Sequence, residues 1–92
     1  MQATIKKIGQ QAAREYRYPN GAHVLFSYAT PVGAYIPGLG WLETERKYSR
    51  TTSKHVTQWL RRQGYPYTQK ATETELVQQY HFLDSLIWED AA

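Results

Sequence analysis

The chain has 92 residues and no cysteine; disulfides, thiolate metal sites and cysteine nucleophiles are excluded, and the length fits one domain, residues 1–92. Eleven Lys and Arg against 8 Asp and Glu give a net +3, with a mean hydropathy of −0.67; no apolar run approaches the ~20 residues of a membrane span. Aromatics make up 14%, with 3 Trp and 8 Tyr, a richness that disordered chains lack.

In chain order, Met1 to Lys7 shows no hydrophobic region after its charges, so it does not read as a signal peptide. Ala3 to Gly9 reads as a short edge strand. Residues 14–18 and 22–28 flank Pro19-Asn20-Gly21. Asn-Gly favours a two-residue type I′ turn, where both central residues take positive φ. That register sets Tyr18 opposite His23, Tyr16 opposite Leu25, Arg17 opposite Val24 and Glu15 opposite Phe26. Val24-Leu25-Phe26 is apolar on both faces, which marks an interior strand.

Ala29-Thr30-Pro31 predicts a turn or bulge, because proline cannot donate to a ladder. β character resumes over 32–36. Pro37-Gly38-Leu39-Gly40 predicts a reversal, and 41–46 another strand. The period then changes. Ser49 to Ser53 supplies several N-cap residues, and Val56, Trp59 and Leu60 follow at helical spacing. Gly64 suits the C′ position. A helix over 53–63 is predicted. Residues 65–68 read as a linker. Thr72 and Glu75 have capping-box spacing, and Leu76, Tyr80, Leu83 and Ile87 form the stripe of a second helix, about 73–88. Wrapping of that helix around the sheet edge is the favoured packing, since a small domain needs all its apolar area. Docking of Phe82, Leu86 and Trp88 on something else is the competing reading. The fold class is α+β: an antiparallel meander of three to four strands followed by two helices.

Catalytic signals are weak. His23, His55 and His81 have no metal-ligand spacing, and no serine elbow is present. Glu43 and Glu45 share a strand face but flank Arg46 and Lys47, so solvated surface is the plainer reading. The Gly38-Leu39-Gly40 pair lacks the helix a phosphate loop requires. No catalytic residue, metal or cofactor is expected.

The cations say more. Residues 1–64 carry 10 basic and 3 acidic side chains, a net +7, while 65–92 carry 1 and 5, a net −4. A polyanion would meet the first part and not the second. Arg46, Lys47, Arg50 and Lys54 gather at the start of the first helix, beside its free N–H groups and hydroxyls. That set suits a phosphate or carboxylate. Capping alone, with the charges solvated, is the competing reading, and the sequence leaves both open. Lys54 and Arg61, and His55 and Arg62, are seven apart, which places the four on one polar stripe. Arg61 and Arg62 also complement the helix dipole. Tyr48, with Tyr16, Tyr18, Tyr35, Tyr65 and Tyr67, could interleave with these charges as interface anchors or stacking rings. Half-buried tyrosines completing the core are the alternative.

Residues 24–35 and 46–60 carry the patterns S-Y-x-T-P-V-x-A and T-T-S-x-H-x-x-x-W-L. In these segments, spanning about residues 22–60, the chain resembles a family of small proteins from phages and other mobile elements. Gly33 stands where a small residue such as alanine is expected. With its length and basic body, the chain is also similar to phage anti-CRISPR proteins, in particular inhibitors of the type I-F surveillance complex. That resemblance implies a non-enzymatic protein of the host bacterial cytoplasm. It would bind the surveillance complex, protein subunits and guide RNA alike, and block hybridisation of target DNA. The basic residues would meet RNA phosphates. Glu73, Glu75, Asp84, Glu89 and Asp90 would meet a basic protein channel. A phage module acting directly on DNA or RNA is the alternative. A small hydrolase is a third, with neither metal ligands nor an activated nucleophile behind it.

Overall fold

The computed structural model of the chain describes residues 4–7 and 12–91, with side chains described over 12–85. Five strands come first: β1 (Thr4–Lys7), β2 (Ala13–Arg17), β3 (His23–Ser27), β4 (Thr30–Ile36) and β5 (Gly40–Thr44). Then follow α1 (Arg50–Arg62), β6 (Thr68–Ala71) and α2 (Glu73–Ala91). The strands form one sheet in sequence order. β1 to β5 make an antiparallel meander, and β6 adds parallel to β5. The α+β reading holds, with more strands than the sequence suggested.

β6 is the element the sequence hides. Of Thr68-Gln69-Lys70-Ala71 only Ala71 is buried. A four-residue polar strand at a sheet edge has no apolar alternation to read. Two parallel strands need a crossover, and α1 is that crossover.

The β2–β3 hairpin corrects the predicted register. Proline has no N–H, so Pro19 cannot close a two-residue loop on Ala22. The loop takes three residues instead. Gly21 N–H donates to the Tyr18 carbonyl at 3.0 Å, and Tyr18 N–H to the Ala22 carbonyl at 2.9 Å. Pro19 fits the fixed φ of the first turn position. Gly21, at φ +92°, takes the left-handed position of this loop class. Pairing moves by one residue: Glu15 opposes Leu25, Tyr16 opposes Val24, and Arg17 opposes His23. Glu15 therefore shares a face with Leu25 rather than Phe26.

The bulge expected near Pro31 is present. Leu25 pairs with Gly33 but Phe26 with Pro31, so Val32 is the extra residue.

Both sheet faces are covered, as the doubly apolar β3 requires. Val24, Ala34, Leu42 and Ala71 pack under Leu76 and Leu83 of α2, with Tyr16, Phe26 and Tyr80 alongside. α2 thus lies on a face of the sheet and not around its edge. The reason is its stripe: Leu76, Tyr80 and Leu83 fall on one side at i, i+4, i+7. On the opposite face Ala13, Leu25 and Val32 pack under Trp59 and Leu60 of α1. Phe82 is exposed, while the side chains of Leu86, Ile87 and Trp88 lie outside the described residues.

α1 begins three residues before the predicted start. Ser49 caps it, accepting from Thr52 N–H at 3.1 Å. Its end is a Schellman motif. Tyr65 N–H donates to the Leu60 carbonyl and Gly64 N–H to that of Arg61. α2 starts with the predicted capping box: Glu75 N–H donates to Thr72 Oγ1, and Thr72 N–H to Glu75 Oε1.

Candidate nucleic-acid interface on the first helix

α1 separates two chemistries. At 100° per residue, Thr52, His55 and Trp59 point one way, and Arg50, Lys54, Thr57 and Arg61 the other. The inner set is buried; Arg50, Lys54, Thr57 and Arg61 are exposed. The helix contains four cations and no acidic residue.

On the outer face, Lys47, Tyr48, Ser49, Arg50, Ser53 and Lys54 surround an open recess of about 390 Å³. Ser53, Lys54, Thr57, Gln58 and Arg61 surround a second of about 400 Å³. Lys54 joins the two. The arrangement presents positive charge along a helix beside an uncapped N–H pair, those of Arg50 and Thr51. It can hold phosphate oxygens.

Not every predicted residue is on that face. His55 is fully buried, so it leaves the polar stripe on which the sequence placed it. Its Nδ1 lies 2.7 Å from Ser27 Oγ, and Ser27 Oγ lies 3.0 Å from Thr52 Oγ1. Burial holds the His55 pKa below its ordinary value. Ser27 and His55 resemble a nucleophile–base pair by distance. Both are buried, and the contact fastens α1 to β3. Arg46 is drawn toward α2, with Nη1 3.9 Å from Glu73 Oε1 and its guanidinium carbon 4.9 Å from the Tyr48 ring centre. Tyr48 is half-buried and its hydroxyl donates to Glu73 at 2.5 Å; burial and that bond hold its pKa up. Tyr48 is a brace between the β5–α1 loop and α2. Arg62 is exposed in the last turn, outside the two recesses. Lys47, Arg50, Lys54 and Arg61 thus come together, with Arg46 and Arg62 at the margins.

The tyrosines divide in the same way. Tyr18 is buried, Tyr16 and Tyr35 are half-buried, and Tyr65 and Tyr67 are exposed at 61% and 87%. Tyr28, exposed at 62%, was not among the expected anchors. Its φ of +56° comes from the tight β3–β4 turn, which the sequence marks only by the following Pro31.

A buried polar centre went unread as well. Glu15 is fully buried, accepting from Trp59 Nε1 and Arg17 Nε, each at 2.5 Å. His23 Nδ1 lies 3.6 Å away. Burial lowers the His23 pKa, with Glu15 acting against that and Arg17 with it. The signal that would have revealed Glu15 is the Pro19 loop, because its three-residue length sets the register.

Ser27, Gly33, Thr52, His55 and Trp59 all belong to the two sequence patterns quoted above. They meet beneath α1. A Cβ on Gly33 would come within 2.7 Å of Trp59 Cζ3. The patterns describe how the helix is seated, and the cations lie on its other side. Glu43, one of the paired acids, accepts from Thr68 Oγ1 at 2.9 Å and from Lys70, which ties β5 to β6.

No curated protein and no solved structure matches the chain. The model of a family of unknown function (DUF8033) matches residues 2–78, and the chain belongs to that family.

Proposed function

We propose that the protein is a non-enzymatic binding module that docks the outer face of α1 on nucleic-acid phosphates. One observation carries this reading. Lys47, Arg50, Lys54 and Arg61 line two adjoining recesses on a helix that has no acidic side chain. Binding through three or four cations to a single strand gives a salt slope of about −2 to −3. Affinity should then fall roughly 20- to 50-fold between 50 and 200 mM salt. Fluorescence anisotropy with labelled oligonucleotides measures this. K54Q and R61Q should each weaken binding and flatten the slope by about 0.7. Absence of binding to any oligonucleotide at 50 mM salt rejects the proposal.

The resemblance to type I-F anti-CRISPR proteins supports a specific form of it. There the phosphates are those of a guide RNA held in a surveillance complex, and docking blocks target DNA. Glu73 and Glu75 serve that form less well than expected, since both are engaged within the chain. Pull-down of a type I-F complex followed by target-DNA capture tests it. No association, or undiminished capture, removes the CRISPR form and leaves the phosphate-binding reading standing.

A further inference from the structure

We propose that the partner strand is single-stranded, with unpaired bases stacking on Tyr28 and Tyr65 while its phosphates follow Arg50, Lys54 and Arg61. This rests on the phosphate-docking reading and names its substrate class. Three observations converge.

First, the charges form a line. Arg50, Lys54 and Arg61 lie on the outer side of α1, spaced about 6 and 10 Å along its axis. Second, the line is flanked by rings. The Tyr65 hydroxyl accepts from Arg61 Nε at 3.1 Å, which fixes this ring at the C-terminal end. The Tyr28 ring centre lies 6.0 Å from that of His55, which shares a recess with Thr51, Lys54 and Gln58. Both rings are more than half exposed, although the core holds Trp59 and Tyr18 without them. Third, Tyr28 and Tyr65 are the two non-glycine residues with positive φ among the described residues, at +56° and +53°. Bulky residues rarely adopt that backbone. Asparagine or glycine would relieve both turns, and the side-chain contacts these tyrosines make are the Tyr65 hydroxyl with Arg61 and the Tyr28 ring with His55. The recess lined by Thr51, Lys54, His55 and Gln58 measures about 280 Å³. Gln58 Oε1 there has no partner within the protein, and a turn of its side chain would offer the amide to a base edge.

A duplex buries its base faces, so exposed rings flanking a cationic helix gain nothing from it. A single strand offers a face to each ring, and stacking of this kind tolerates any sequence.

The test compares one labelled 12-nucleotide RNA with its own duplex, by anisotropy at 50 mM salt. Single strand should bind at least about tenfold tighter. Tyr28→Asn and Tyr65→Asn keep the left-handed backbone comfortable and remove the rings. Each should weaken single-strand binding by about 5- to 100-fold, the range for losing a base–aromatic stack. Duplex binding and the salt slope should not move for Tyr28→Asn; Tyr65→Asn also frees Arg61 from the Tyr65 hydroxyl, so Tyr65→Phe, which keeps the ring, should retain single-strand affinity. K54Q should weaken both ligands. Equal or tighter duplex binding, or tyrosine variants with wild-type affinity, overturns the inference while the phosphate reading survives. Circular dichroism melts confirm that each variant is folded.

Discussion

Gly33→Ala is the sharpest test of how α1 is seated. The added methyl would sit 2.7 Å from Trp59 Cζ3, 3.2 Å from Cε3 and 3.3 Å from Cη2. Ordinary contact begins at 3.4 Å, so the indole must retreat by about 0.7 Å. It has little room. Trp59 is fully buried, its Nε1 donates to Glu15, and its ring lies edge-on to Trp41 at 5.3 Å. Overpacking of this kind costs about 1–3 kcal/mol. Removing a glycine from a strand recovers roughly 0.5–1 kcal/mol of chain entropy. At the midpoints of those ranges the net loss is about 1 kcal/mol, and in a domain of this size Tm falls by roughly 4–8 °C. Urea and thermal melts read it directly. Trp59→Leu, itself costly, makes room for the methyl, so the double variant should be more stable than the two losses predict by about 1 kcal/mol. A Gly33→Ala protein as stable as wild type, or losses that simply add, would refute the argument.

Three further outcomes follow. Glu15→Ala strands the buried Trp59 N–H and leaves a void, so about 3 kcal/mol should be lost. Glu15→Gln keeps an oxygen for that bond and should cost less; equal losses in urea melts would show that the indole bond is not what matters. The lowered pKa of His55 means that the unfolded chain takes up its proton more readily. Stability should therefore hold above the ordinary value of 6.5 and drain away as pH falls below it. His23 acts in the same direction. His55→Asn should flatten Tm against pH between 7 and 5, and an unchanged slope speaks against the buried-histidine account. Ser49→Ala removes a cap worth about 1 kcal/mol and should lower Tm while sparing oligonucleotide affinity. K54Q should do the reverse. A Ser49→Ala variant that loses binding as steeply as K54Q would show that the recess holds its ligand through the serine hydroxyl and not through charge.

The elements were legible where one residue type enforces one conformation. Gly64 ended α1, Thr72 and Glu75 began α2, and Pro31 produced its bulge. Periodicity found both helices because each has one apolar side. It could not find β6, of which only Ala71 is buried. The hairpin failed on a conflict between neighbours: Asn20-Gly21 favours two-residue loops, yet Pro19 cannot supply the N–H such a loop needs. That one residue decided that Glu15 shares a face with Leu25 and reaches Trp59. Helical spacing put Lys54 and Arg61 on one side of α1, where both are exposed. His55 was misplaced because its seven-residue relation to Arg62 puts the pair on the boundary of the helix face, and it is Ser27 of β3, across the interface, that meets the imidazole on the inner side.

The charge division between the two parts of the chain also changes meaning in three dimensions. In sequence, a +7 body and a −4 tail suggest two surfaces with two partners. In the fold, Glu73 holds Tyr48 and Arg46 and Glu75 closes a capping box. Those acids are spent on joining α2 to the α1 entrance and on starting their own helix. Among the described residues the cations of α1 make no ion pair; Arg61 meets only the exposed Tyr65 hydroxyl and the helix end, and the inner side is seated by Trp59, His55 and Thr52. Exchanging Lys54 or Arg61 therefore touches no interior contact. A surface whose charge can be altered without altering the fold is one that stability alone does not explain, and that independence is what makes the outer face of α1 the place to look for a partner.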